Sequence, residues 1–299
     1  MKYIFLYNPL AGKGKTEEIA EKIKLKNTEE TIYEDLTKID DFSTLSAKID
    51  KEDKLVICGG DGTLNRFINA VDDANIENEI IYYPAGSGND FMNDLNRKEE
   101  DGAFTLKGLV ENLPKVTING KNFRFLNGVG FGVDGYVCAE GNRLRNRGKR
   151  INYTAIAVKG LLFAFKPVNA TVTVDGKEYT YKKVWMTTSM KGRFFGGGMK
   201  ITPDQDRFDK EGKLSVLVAH NLGKLRIATL FPLIFEGKHV TYTKYVDIHR
   251  CHSMTVKYDR PCDLQIDGES ISNITEYSVE TANSEYATVN SFKGAVYEN

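Results

Sequence analysis

The sequence predicts two domains of different class, α/β + β: an N-terminal Rossmann-like α/β domain over residues 1–120, then a β-sandwich-like domain over residues 121–283. Apolar strand-like runs alternate with helix-period runs through the first third, the pattern of a parallel sheet covered by helices. After about residue 120 the texture changes to short alternating runs rich in β-branched and aromatic residues, the pattern of antiparallel layers. The chain's 299 residues also exceed one typical domain.

Taken in order, Tyr3–Tyr7 reads as a buried strand and Thr16–Lys26 as a helix with Ile19, Ala20 and Ile23 on its apolar face. Thr31–Tyr33 is a second strand and Phe42–Ile49 a second helix. Lys54–Cys58 is a third strand, followed by a helix through Leu64, Phe67, Ile68 and Val71, and Ile80–Tyr83 is a fourth strand. In the second half, Val172–Val174, Lys183–Met190, Leu214–Ala219, Tyr245–His249, Met254–Tyr258, Asp263–Ile266 and Ser278–Glu280 read as strands. Asp175-Gly176 supplies the positive φ of a tight hairpin. Helices are expected near Tyr153–Phe165 and Leu222–Phe235. A last strand near Tyr286–Ser291 is expected to return segment 284–299 to the first domain.

Composition narrows the function classes. Apolar residues make up 41% and charged residues 27%, which supports globular cores. A formal net charge of zero gives no global field toward nucleic acid, and no nucleic-acid partner is expected. The four cysteines, Cys58, Cys138, Cys251 and Cys262, have no metal-type spacing and read as reduced thiols of a cytoplasmic protein. The N-terminus lacks the pattern of a signal peptide. Tyr153–Phe165 is interrupted by Lys159 and falls short of the roughly 20 apolar residues that span a bilayer. A membrane, if met at all, is met from outside.

Chemistry is expected beyond the carboxyl ends of the first strands, where open α/β sheets bind ligands. Three glycine-rich loops lie there: Asn8 to Lys15, Gly59-Gly60-Asp61-Gly62-Thr63, and Pro84-Ala85-Gly86-Ser87-Gly88-Asn89-Asp90. Gly14-Lys15-Thr16 is not a P-loop, because Pro9 stands where that signature needs glycine. The second loop is the sharper signal. Its glycines let backbone approach a phosphate, and Asp61 offers a carboxylate for magnesium; the plainer reading is that Asp61 caps the following helix. With Asp90 as a second carboxylate, the loops carry the equipment of phosphoryl transfer.

These residues resemble the diacylglycerol kinase catalytic superfamily, in particular its soluble bacterial lipid kinases. Asn8-Pro9 with Gly12, Gly59 through Asn65, and Pro84 through Asp90 follow its nucleotide-loop motifs in order and spacing. Phe125-Leu126-Asn127 with Gly130 resembles its crossover motif. Gly196-Gly197-Gly198, Pro203, Gly212-Lys213-Leu214 and Asp267-Gly268-Glu269 resemble its β-domain signatures. NAD kinases and phosphofructokinases share the Gly-Gly-Asp-Gly loop without this set of partners.

The resemblance implies a lipid kinase that moves the γ-phosphate of ATP, with Mg2+, onto a lipid hydroxyl, foremost diacylglycerol giving phosphatidic acid. Phosphatidylglycerol or a sphingoid base as acceptor, or a weakened lipid-binding regulatory protein, are the alternatives. It implies ATP lined by Asn8, Pro9, Leu10, Ala11 and Gly12 on the first loop and by Thr37. Gly59, Gly60, Asp61, Gly62, Thr63, Leu64, Asn65 and Arg66 follow on the second loop, and Gly86, Ser87 and Asn89 on the third. Asp61 and Asp90 fall in the magnesium network; Glu269 and Asp267 fall at the reaction centre, one of them taking the hydroxyl proton, with Glu269 the family's usual assignment. On the residues alone, Asp267-Gly268-Glu269 reads first as a hairpin turn.

Two positions depart from the family. Thr117 stands where a carboxylate often helps organise magnesium waters. Glu211 replaces an Asp of a structural magnesium site whose other ligands fall on the carbonyls of Phe208 and Lys213. The basic run Arg143 to Arg150, beside an apolar segment, suits an anionic membrane surface as readily as a solvated loop. The expected partner is a lipid at such a surface, met transiently, and a homodimer is left open. His249-x-x-His252 reads as ordinary strand, because alternation splits the two side chains between faces.

Overall fold

The computed structural model describes residues 1–9, 18, 30–39, 42, 45, 49–71, 77–86, 88–149 and 151–282. Leu10, Ala11, Gly12, Ser87 and Arg150 lie outside the described residues, as do most of Thr16–Lys26 and Phe42–Ile49, the Tyr286–Ser291 strand and the expected return of 284–299. One compact unit takes Met1–Asn112 and a second begins at Leu113.

The first unit holds a sheet in the order β2-β1-β3-β4-β5. Its strands are β1 (Tyr3–Tyr7), β2 (Thr31–Asp35), β3 (Lys54–Gly59), β4 (Ile80–Pro84) and β5 (Phe104–Thr105). The first four pair in parallel and β5 runs antiparallel to β4. Runs such as Ile4-Phe5-Leu6 and Leu55-Val56-Ile57-Cys58 are buried because a parallel sheet is covered on both faces. Helix α1 (Asp61–Val71) buries Leu64, Phe67 and Ile68 at helical spacing, and Phe67 meets Phe42 edge-on at 5.4 Å. Each such side chain contributes on the order of 1.5–3 kcal/mol through its burial. Tyr82 of β4 packs edge-on against Phe104 and against Phe91 of the short α2 (Asp90–Asp94).

The second unit is an antiparallel, sandwich-like β structure. Along its main sheet, β15 (Val246–Cys251), β14 (Leu214–Ala219), β11 (Met186–Met190), β8 (Gly128–Gly132), β16 (Ser253–Ile266), β17 (Glu269–Glu280), β6 (Lys115–Ile118) and β7 (Lys121–Arg124) pair in that order. β9 (Val168–Val174) and β10 (Lys177–Val184) form a hairpin that joins through β9, and β12 (Phe194–Phe195) pairs with β13 (Met199–Lys200) in a separate two-stranded ribbon. Because β6 pairs with β17, residues from Leu113 onward belong to this unit. Met254–Tyr258 and Asp263–Ile266 are one 14-residue strand rather than two. Its pairing shifts register between Lys257 and Leu264, around Pro261, which suits a bulge and not a continuous ladder. The first half of β16 therefore pairs with β9 and the last residues with β8.

Helix α3 (Val133–Asn146) leaves β8 directly and lies against β16, where a Cβ on Gly135 would fall 2.0 Å from the Asp263 carbonyl. The apolar segment after it forms α4 (Tyr153–Lys159) and a π turn over Gly160–Ala164. The helix expected near Leu222–Phe235 is α5 (Lys224–Leu230), which tightens to a 3-10 turn at Pro232. Among the described residues no helix is long and apolar enough to cross a membrane.

One buried carboxyl sets a pH dependence. Asp134 lies under β8, so close that a Cβ on Gly130 would overlap its Oδ2, and neither of its oxygens makes a hydrogen bond of normal geometry. Burial lifts this carboxyl from an ordinary 3.8 to about 7. The unfolded chain gives up that proton near 3.8 and the folded chain keeps it to about 7. Folding takes up a proton in this window, so stability falls as pH rises through it and levels off above. Between pH 5 and 7 the loss is on the order of 3 kcal/mol. Asp134→Asn is expected to flatten that decline, read from urea unfolding at pH 5 and pH 8; equal slopes for the two proteins would contradict the assignment.

Candidate active site

In the first unit the carboxyl ends of the parallel strands come into register along one edge. Tyr7 lies opposite both Asp35 and Cys58, and Gly59 lies opposite Pro84. Asn8 and Pro9 leave β1 at this edge. At the end of β2, Asp35 accepts from the Thr37 backbone N–H at 2.9 Å and from its hydroxyl at 2.6 Å, while Arg66 Nη2 donates to the Thr37 carbonyl at 3.3 Å. Thr37 and Arg66, 29 residues apart, are thus brought together.

The second and third loops touch backbone to backbone. A Cβ on Gly86 would fall 2.4 Å from Gly60 Cα, so neither position accepts a side chain without the loops parting. Ala85 N–H and the Tyr82 hydroxyl each donate to the Gly59 carbonyl at 2.9 Å. Asp61, the first residue of α1, accepts from the backbone N–H of Asp90 at 2.7 Å and of Phe91 at 3.2 Å. It caps α2, whose own preceding residue Asn89 (φ 47) makes no side-chain cap. The capping role read from the sequence is thus present, on the next helix rather than on α1. Thr63, Leu64 and Asn65 are buried in α1.

Asp61 and Asp90 therefore meet where the loops join. An ionised carboxylate has about four acceptor positions, and Asp61 gives two of them to the N–H groups of Asp90 and Phe91. No group of three or more His, Cys, Asp or Glu placed to hold a metal occurs among the described residues. Magnesium characteristically takes one or two carboxylates plus nucleotide phosphates, and the Asp61–Asp90 pair fits that donor set.

The second unit places the other expected residues. Asp267 (φ 45) and Gly268 (φ 93) form the two-residue turn between β16 and β17, with Ile266 opposite Glu269. Asp267 is 9% exposed, and its carboxylate accepts from the backbone N–H groups of Leu126 at 2.6 Å, Asn127 at 2.8 Å and Gly128 at 3.0 Å. Glu269, two residues on, is exposed at the tip. The hairpin reading and the carboxylate reading of this tripeptide both hold, on different residues. Arg207, which the sequence did not single out, is 4% exposed and donates to the Leu126 carbonyl at 2.6 Å and to Asn127 Oδ1 at 2.8 Å.

Thr117 spends its hydroxyl on Asn122 Oδ1 at 2.7 Å, across the β6–β7 hairpin. Glu211 faces Lys213 Nζ at 2.5 Å, and the Lys213 carbonyl accepts from Gln205 Nε2 at 3.0 Å. Asp209 holds this loop instead. It accepts from the N–H groups of Glu211 at 3.1 Å and Lys213 at 2.9 Å and pairs with Arg250. Burial pushes the Asp209 carboxyl up, but those N–H groups and the guanidinium outweigh it and hold it below the usual range. Glu211 and Asp209 of this loop thus each face a cation of the protein's own.

In the basic run, Arg143 pairs with Glu140, and Arg145 donates to Asn142 and to the Tyr153 hydroxyl. His249 meets the Tyr181 hydroxyl at 2.8 Å whereas His252 lies near Thr281.

Comparison with known proteins identifies the whole arrangement. Residues 2–118 match the family model of the diacylglycerol kinase catalytic domain. Residues 127–282, more than half of the chain, match that of the YegS C-terminal NAD kinase beta sandwich-like domain. The chain belongs to the diacylglycerol kinase catalytic-domain family. As a member of this family it is a lipid kinase. A diacylglycerol kinase of Mycobacterium tuberculosis is 29% identical to it over 251 residues, 80% of each chain. A diacylglycerol kinase of Bacillus subtilis is 22% identical over 277 residues, 88% of each chain. A solved diacylglycerol kinase structure from Bacillus anthracis str. Sterne, 16% identical, covers 99% of this chain and 97% of that one with a TM-score of 0.60, a likeness of fold.

Proposed function

We propose that this kinase transfers the γ-phosphate of ATP to the free hydroxyl of diacylglycerol, giving phosphatidic acid and ADP. The observation that carries the reading is the backbone contact of the two glycine loops with Asp61 tied to the start of Asp90–Asp94. It brings the two loops and the residues Asp61 and Asp90 to one place at the edge of the sheet. ATP as donor follows from the family. Diacylglycerol as acceptor is favoured by relatives of that name that align over most of their length, although the name of a further Bacillus subtilis relative goes no further than lipid kinase.

Asp61 and Asp90 would hold magnesium, which when bound offsets the charge of the nucleotide phosphates. The protein's own residues do the remaining work. Backbone N–H groups of the glycine loops orient the phosphates. In the second unit, the Glu269 carboxylate accepts the proton of the acceptor hydroxyl. The hydroxyl oxygen forms a bond to the γ-phosphorus, the bond from that phosphorus to the β-bridging oxygen breaks, and ADP leaves with that electron pair.

The acceptor is met at a bilayer on the cytoplasmic side, and the exposed Arg147 and Lys149 after α3 supply attraction to anionic lipid of about 1 kcal/mol each. Labelled ATP offered with a mixed-micelle panel of diacylglycerol, phosphatidylglycerol, a sphingoid base and NAD tests the assignment. Label in diacylglycerol is expected; label confined to another member of the panel would replace the acceptor.

A further inference from the structure

We infer that Arg207 is a positioning residue for phosphoryl transfer, fixing Glu269 through the tripeptide Leu126-Asn127-Gly128 and Asp267. The inference rests on Glu269 as the proton acceptor.

The geometry is a clamp closed from both sides of one stretch of backbone. Its N–H side is taken by a buried anion, because all three N–H groups of residues 126–128 donate to Asp267. Its carbonyl side is taken by a buried cation, because Arg207 donates to the Leu126 carbonyl and to the Asn127 side chain. The remaining carbonyls are also used. The N–H groups of Lys191 and Gly192 donate to the Asn127 carbonyl at 2.9 and 3.2 Å, and Asp267 N–H returns a bond to the Gly128 carbonyl at 3.1 Å.

Arg207 is itself pinned to the sheet. Gln205, two residues before it, accepts from Ser215 Oγ of β14 at 2.6 Å and donates to the Lys213 carbonyl at 3.0 Å. Order therefore passes from β14 through Gln205 and Arg207 to residues 126–128, and from there to Asp267.

What stands at the end of that chain is the turn carrying Glu269. Asp267 is anchored by its side chain and its N–H, and Gly268 N–H donates to Gln265 Oε1 at 2.8 Å. Glu269 follows on an exposed tip, its backbone opposite Ile266. Its position is thus inherited from Asp267. Arg207 and Asp267 hold the same peptide run from its two sides, so removing the guanidinium takes the donor from the Leu126 carbonyl and Asn127 Oδ1 and loosens the run that receives Asp267. The turn would shift, and a displacement near 1 Å at a reacting group costs about 10²-fold in rate.

The test compares Arg207→Met and Arg207→Lys with the wild type in the full chain, at saturating lipid, with ATP-binding sites counted so that only folded protein enters the rate. Arg207→Met is expected to lower kcat by about 10²-fold with KM for ATP changed less than about twofold, and Arg207→Lys, which reaches one acceptor, to recover part of the rate. Adding Arg207→Met to Glu269→Gln is expected to cost little beyond Glu269→Gln alone, since the two act as one unit. Full multiplication of the two losses, or a kcat per folded site unchanged by both Arg207 variants, would overturn the inference. An active Glu269→Gln protein would instead remove the base assignment, a result separable from either.

Discussion

Asp61→Asn is expected to lower turnover by about 10³-fold at saturating ATP and lipid, the scale of losing one preorganised charge at a phosphoryl-transfer site. The substitution removes the negative charge that would hold magnesium. It also turns one oxygen that receives a backbone N–H into an amide that cannot, since both Asp61 oxygens are in use toward Asp90 and Phe91. One lost cap costs about 1 kcal/mol, too little to unfold a domain of this size. The readout is the rate of lipid phosphorylation beside a thermal unfolding curve. A folded variant with near-normal turnover would take Asp61 out of the magnesium network and leave it as the cap of α2.

Glu269→Gln is expected to cost between about 10² and 10⁴ in kcat, the usual range for removing a general base, and to leave ATP affinity unchanged. Its side chain is exposed at a turn, so the fold should be indifferent to the change. Asp267→Asn should behave differently. Three backbone N–H groups depend on that buried carboxylate, so its loss is expected to lower stability and rate together. Unfolding midpoints and kcat measured side by side on the two variants distinguish a reacting group from one that holds it in place.

Much of the fold was legible because the local signals agree with the global one. Alternation of Ile4-Phe5-Leu6, Leu55 to Cys58 and Ile81-Tyr82 with helical runs specifies a parallel sheet, and the protein has it. What the sequence hid depends on pairing. Lys115–Ile118 is an unremarkable four-residue run, and only its ladder with Ser278 to Glu280 assigns it to the second unit. β16 reads as two strands because Pro261 interrupts the pattern, although the chain bulges there and continues.

The site was legible where function needs a residue type at a fixed spacing, and obscure where it needs a distant partner. Gly60, Asp61, Gly86 and Asp90 stand out locally, and the structure joins them. Whether Asp61 capped its own helix or another could not be read, because the N–H groups that donate to it lie 29 and 30 residues away. Asp267 reaches back across 139 to 141 residues, and Arg207 across 80 or 81, distances over which a single sequence carries no signal. Glu211 was read as a metal ligand from resemblance. What the sequence did not show is that it faces Lys213, and that Arg250 arrives from β15 to meet Asp209.

The most direct measurement is the initial rate of γ-phosphate transfer from labelled ATP to diacylglycerol in mixed micelles, with magnesium supplied and then chelated. Label recovered in phosphatidic acid, abolished by chelation and by Asp61→Asn, is the result expected. ATP bound by the folded protein with no label entering diacylglycerol or any other lipid of the panel would contradict it.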